Sequence, residues 1–228
     1  MAEIINTVAL QAVAQGLGNL LPEVVFVGGA TVGLYASSPA APISRPTDDV
    51  DCIIELASYG AFAALEERLR ARGFRNDVES RVQIRWLYEG IPVDVMPTDA
   101  RVLGFSNPWY PVGMATAQSH TLPDGTIIRI LHPAYLLATK FCALQNRASD
   151  LRLSHDWEDI VYVLEERAEV VEEVATAASD VRIFIANQCA SVRRKPNVEE
   201  LFEAVMGRGS QLPLLLHKLK QLAELDKQ

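Results

Sequence analysis

The chain has 228 residues, 49% hydrophobic and 22% charged, enough to bury one α/β core with a helical annex. Its formal net charge of −8 argues against a broad basic surface for nonspecific nucleic-acid binding, while leaving room for a local basic patch at Arg68, Arg70, Arg72 and Arg75 or at Arg193, Arg194 and Lys195. Cys52, Cys142 and Cys189 show no CxxC spacing, which argues against a disulfide framework or a zinc site, and no apolar run is long enough to span a bilayer.

The first residues are acidic rather than basic, so the expectation is a cytoplasmic protein without a secretory leader or membrane span. Residues 4–21 have helical apolar spacing, and Pro22 follows to stop them. Residues 24–27, Val-Val-Phe-Val, form a short β-branched and aromatic run that ends in Gly28-Gly29 and predicts a buried strand. A short helix is expected over 30–35, then a loop rich in Ser, Pro and Ala over 36–47, then a strand over 50–56. Residues 61–72 place Phe62, Leu65 and Leu69 at core spacing, with Gly73 behind them to end a helix. Two strand patterns, 82–88 and 91–96, flank Glu89-Gly90 and predict a β-hairpin; another strand, 126–131, follows the turn residues Pro123, Asp124 and Gly125.

From His132 onward the apolar period changes from two to about 3.6. Pro133 suits a first helical position, and Tyr135, Leu136, Leu137, Phe141 and Leu144 make one apolar stripe. Further helices are expected over 157–166, 170–190, 198–206 and 212–225. The predicted fold class is α/β, a small mixed sheet with flanking helices (1–131), followed by a helical C-terminal region (132–228).

Three acids carry the chemistry. Asp49 and Asp51 are two residues apart at the head of a strand, so their side chains leave one face. Asp94 is the lone acid of the apolar run 91–96, and a buried strand carboxylate is costly unless its charge is compensated. Divalent cations shared by the three would supply that compensation. Mg²⁺ accepts a few carboxylates and keeps positions for phosphate oxygens. A pair of such ions stabilises both the attacking and the leaving oxygen of an in-line displacement. The bland alternative is a turn cap at Asp48-Asp49 with Asp94 at a sheet edge. Gly28-Gly29, between a strand and a helix, lets backbone N–H groups approach a phosphate, with the Thr31 hydroxyl as a further donor. A tight turn and nothing more is the competing reading. The pattern is neither a Walker A loop nor a dinucleotide fingerprint.

Together, "VFVGGATVGLY…RPTDDVDCII" and "GIPVDVMP" resemble the signature of DNA polymerase β-like nucleotidyltransferases. The later string "HPAYLLATKFCALQNR…SHDWEDIVYVL" resembles the helical segment of the AbiEii/AbiGii toxin-type nucleotidyltransferases, which carry a Lys, an Arg and a DxxD-type pair of acids. The resemblance spans about 60% of the chain, residues 24–165. It implies a polymerase β-like fold, Mg²⁺ or Mn²⁺ as cofactor and an NTP as substrate. It also implies metal-binding and catalytic roles for Asp49, Asp51 and Asp94, and nucleotide binding by Gly28, Gly29, Thr31, Lys140 and Arg147. Lys140 is implied in catalysis as the triphosphate ligand, and Asp156 and Asp159 in orienting it or holding the acceptor. The implied acceptor is RNA, most directly a tRNA 3′ end, with a cognate antitoxin. A cationic small molecule of the aminoglycoside type and a catalytically silent nucleotide-binding module are the alternatives. The sequence departs from the pattern in the long segment between Gly29 and Asp49, and in His155, where relatives often carry Lys.

From the residues alone, Lys140 in an apolar stripe reads as a lysine that snorkels to solvent, and Asp156 and Asp159 as favourable charge at a helix start with Asp156 as cap.

Overall fold

A computed structural model of the chain describes residues 2–80, 84–147, 150–207 and 211–227. The chain divides into two compact units, one formed by residues 1–31 and 45–132, the other by 32–44 and 133–228.

The first unit is built on a seven-stranded mixed sheet with strand order β3-β4-β5-β2-β1-β7-β6. Helix α1 (Ala2–Leu17) buries Leu10, Val13, Ala14 and Leu17, and a 3₁₀ helix (Gly18–Glu23) containing Pro22 leads into β1 (Val24–Val27). All four β1 residues are buried, because β1 is an inner strand, antiparallel to β2 (Val50–Ile54) and parallel to β7 (Ile127–Ile130). Helix α2 (Tyr59–Ala71) is capped by Ser58, whose side chain accepts from the Ala61 amide, and it buries Phe62, Leu65 and Leu69. The two-residue strand β3 (Arg75–Asn76) pairs with β4 (Arg85–Tyr88), and β4 pairs antiparallel with β5 (Ile91–Pro97) across Glu89-Gly90. Both turn residues have positive φ, 51° and 85°, the geometry of a two-residue hairpin loop. Strand β5 returns parallel to β2. Helices α3 (Ala100–Leu103) and α4 (Tyr110–Ala115) lead to β6 (Gln118–Thr121), the edge strand beside β7. The expected strand over 82–88 begins at Arg85 among the described residues, and Val82 lies outside them.

The second unit is helical: α5 (Pro133–Arg147), α6 (His155–Glu166), α7 (Val170–Ala175), α8 (Ser179–Arg193), α9 (Val198–Glu203) and α10 (Leu212–Ala223). Its core holds Leu136, Leu137, Phe141, Trp157, Ile160, Ile185, Phe202, Leu215 and Leu219. The buried Trp157 indole donates to the Leu201 carbonyl at 2.8 Å and lies against Phe202. Residues 32–44 belong here because they bond to this unit. The Ser37 amide donates to the Glu166 carbonyl, and the Tyr162 hydroxyl donates to the Pro42 carbonyl. In place of the single helix expected over 170–190 there are two, α7 and α8. The buried positions Val170, Val174, Val181, Ile185 and Cys189 keep helical phase across the gap, so periodicity does not register the break.

Candidate active site

The end of β1 and the start of β2 meet because Val27 and Asp51 are register partners. Gly28, next in the chain, has φ +74°, and a Cβ there would lie 1.9 Å from Asp51 Oδ2. A Cβ on Gly29 would lie 2.6 Å from Arg45 and from Thr47. The missing side chains thus make room for the carboxylate and for the segment leading to it. Thr31 is fully buried, and its hydroxyl donates to the Gly28 carbonyl at 3.0 Å, fixing the turn. Asn6, buried on α1, secures the approach to Asp49. Its amide donates to the Arg45 carbonyl at 2.9 Å, and its Oδ1 accepts from the Thr47 amide at 3.1 Å. The Thr47 hydroxyl in turn donates to the Asp49 carbonyl at 3.1 Å.

Asp51 on β2 and Asp94 on β5 are side by side in a parallel register. Asp49, Asp51 and Asp94 offer carboxylate oxygens all within 4.8 Å of one another. Three like charges at that separation need a cation, and one side chain of the chain itself supplies it. Arg85 on β4 is the antiparallel partner of Asp94. Its Nε donates to Asp94 Oδ1 at 2.8 Å, and its Nη2 to Asp94 Oδ2 at 2.8 Å and Asp49 Oδ2 at 2.7 Å. Hydrogen bonding to Asp94, with the charges of Asp94, Asp49 and Asp51, holds the guanidinium still further above its usual range. Cys52, next in the chain after Asp51 and so on the other face of β2, is wholly buried. Burial first, then the charges of Asp51 and Asp94, pushes its thiol well up, so it is an inert neutral side chain. The donor set fits a hard divalent cation, since three clustered carboxylates already hold a positive group.

In the helical unit, Lys140 does not snorkel. Its side chain is 9% exposed, with Nζ 2.6 Å from Asp159 Oδ2 and 3.3 Å from Asp156 Oδ1. Asp159 is 1% exposed, and the cap of α6 is Ser154, which accepts from the Trp157 amide, rather than Asp156. These acids therefore form a buried ion-pair cluster with Lys140. His155 is largely exposed and pairs with Glu158 at 3.4 Å. Arg147 ends α5, and its side chain lies outside the described residues.

Sequence reasoning passed over Arg85 and Asn6. For Arg85 a signal was present: counting back from the two-residue turn at Glu89-Gly90 pairs 88 with 91, 87 with 92, 86 with 93 and 85 with 94. Asn6 carries no such signal, because its partners are 39 and 41 residues away.

A mixed sheet whose inner strands present three acids beside a glycine turn is the architecture of a nucleotidyltransferase-like fold. The chain is similar to a solved structure of an antigenic nucleotidyltransferase-like protein from Paracoccidioides brasiliensis, with a TM-score of 0.56 and 17% identity over 90% of this chain and 94% of that one. Residues 11–215 match the family described as nucleotidyl transferase AbiEii toxin, Type IV TA system. The chain belongs to that family and is a nucleotidyltransferase. Membership implies an antitoxin partner and an NTP substrate. No curated protein matches the chain. Among the described residues, no helix is long and apolar enough to cross a membrane.

Proposed function

We propose that the chain transfers a nucleoside monophosphate from an NTP to an acceptor hydroxyl, using Mg²⁺ or Mn²⁺ held by Asp49, Asp51 and Asp94. The observation that carries this reading is the convergence of the three carboxylates within 4.8 Å at the glycine turn. When bound, the divalent ion supplies charge neutralisation at the phosphates. The chain's own groups do the rest. Asp94 takes the proton of the acceptor hydroxyl as its oxygen bonds to the α-phosphorus. The bond from that phosphorus to the bridging oxygen breaks, and pyrophosphate leaves. Backbone N–H groups of Gly28 and Gly29 bind phosphate oxygens, and Thr31 holds the turn that presents them. Lys140, with Arg147, serves the triphosphate, and Asp156 and Asp159 orient the lysine. The domain boundary that goes with this reading places the catalytic core in residues 1–131 and the helical region in 132–228, in a cytoplasmic protein.

The acceptor we propose is an RNA 3′ end, that of a tRNA, the acceptor implied by the toxin-type resemblance of the helical segment. A second reading, a cationic small molecule of the aminoglycoside type, is favoured by the net charge of −8 and by arginines already occupied. Arg68 pairs with Glu23, Arg70 pairs with Glu66 and Glu67, and Arg72 donates to the Leu17 carbonyl.

Purified protein with Mg²⁺ or Mn²⁺ is expected to transfer label from an α-phosphate-labelled NTP but not from a γ-labelled one, onto total tRNA rather than aminoglycosides. Asp51→Ala is expected to lower transfer by about 10³-fold with folding intact. Transfer of the γ label would make the enzyme kinase-like, and NTP binding without any transfer would leave the silent module.

A further inference from the structure

We infer that Arg85 is a tethered counter-ion that takes the cation position of the Asp49, Asp51 and Asp94 cluster and competes with a divalent ion for it. The inference rests on the metal-site reading above. One nitrogen carries it: Nη2 lies 2.7 Å from Asp49 Oδ2 and 2.8 Å from Asp94 Oδ2, a point shared by two of the three carboxylates. Nε adds the bond to Asp94 Oδ1, so the Asp94 carboxylate is held on both oxygens. A Mg²⁺ ion needs such oxygens at roughly 2.0–2.1 Å, with their lone pairs directed at the metal. On three of these oxygens one lone pair is already taken by an N–H proton, and a guanidinium and a divalent ion on the same oxygens repel each other. The two therefore alternate.

The fold builds the competitor in. The tight hairpin puts Arg85 opposite Asp94, and the parallel register puts Asp94 beside Asp51. The Arg85 side chain is 26% exposed, so its head can leave towards solvent while β4 stays paired. Docked there, the guanidinium keeps three like charges together and the site assembled. The consequence is a weaker apparent affinity for the ion, because only the fraction of molecules with Arg85 undocked is competent to bind.

The test is a Mn²⁺ titration of the full-length protein, wild type against Arg85→Gln and Arg85→Lys, following free Mn²⁺ by electron paramagnetic resonance and recording melting temperatures. Arg85→Gln is expected to bind Mn²⁺ about 10-fold tighter or more than wild type, since the competitor is removed. Arg85→Lys, which has a single nitrogen in place of the fork that holds both Asp94 oxygens and Asp49, is expected to fall between them. Chelator-treated Arg85→Gln is expected to melt lower than chelator-treated wild type and to gain more from Mn²⁺. Unchanged or weaker Mn²⁺ binding by a folded Arg85→Gln overturns the inference and leaves the metal site standing. If Arg85→Gln does not fold, Arg85→Lys decides, and wild-type or weaker affinity there is equally fatal. No saturable Mn²⁺ binding by wild type or variants overturns both the inference and the metal site.

Discussion

Gly28 shows how a single residue serves the site twice. Its φ of +74° lies in the left-handed region, and the space its side chain would fill is taken by the Asp51 carboxylate. Alanine at this position costs about 1–2 kcal/mol for the backbone alone, before any displacement of Asp51. Gly28→Ala is therefore expected to lower thermal stability and to cut nucleotidyl transfer by about 10²-fold through misplacement of Asp51. Parallel melting curves and single-turnover assays check it, and a stable, fully active variant would mean that β2 yields without consequence. Asn6 and Thr47 work on the same acid strand from the other side, fastening the backbone just before Asp49.

At the scale of elements, the β4–β5 hairpin sets the partner of Asp94, and the helix pair α5–α6 buries Lys140. Glu89 occupies a turn position with φ 51° that an L-residue other than Asn, Asp or Gly takes at a cost. Glu89→Asn is expected to raise the unfolding free energy by about 0.5–1 kcal/mol in urea, without moving the register that pairs Arg85 with Asp94. In α5 and α6 the buried pair of Lys140 and Asp159 makes substitution hazardous. Lys140→Met leaves a carboxylate at 1% exposure without its lysine and is expected to cost about 3–5 kcal/mol. The double variant Lys140→Met, Asp159→Asn should recover much of that loss. Chemical denaturation of the single and double variants measures the coupling, and additive losses would show that the two charges do not depend on each other. An activity loss in Lys140→Met counts as evidence for triphosphate binding only where folding is retained.

For the whole molecule, charge sets the terms on which the proposed RNA acceptor would be met. The net charge of −8 is unfavourable to a polyanion, and Arg68, Arg70 and Arg72 are already engaged within the protein. Transfer to RNA is thus expected to weaken with salt on a shallow slope, about −0.7 for each phosphate contacted on a single strand. Measuring the apparent affinity for RNA between low and moderate salt counts those contacts, and a steep slope would point to a basic surface that the pairings do not leave. The arrangement also accounts for the segment between Gly29 and Asp49. Residues 32–44 leave the sheet unit and bond to the helical unit, through Ser37 to Glu166 and through Pro42 to Tyr162. That is why the segment is longer than a simple strand-to-strand connection requires.

What depends on neighbours in the chain is legible in the residues themselves. Strand β1, the hairpin turn, the start of α5 and the same-face pair of Asp49 and Asp51 all follow from local backbone geometry and apolar period. Asp94 stood out because an acid in an apolar strand has a desolvation cost that something must offset. The break between α7 and α8 was hidden, since the apolar phase runs through it unchanged. The polar edge strand β6, Gln-Ser-His-Thr, shows no apolar alternation to mark it. Which polar groups meet follows from long-range packing: Arg85 across Asp49 and Asp94, Lys140 buried with Asp159 rather than snorkelling, and Asn6 on a segment some 40 residues away. Those partnerships are set by strand register and helix packing between distant segments, and the energy of a buried charge is fixed by its partners rather than by its neighbours in sequence.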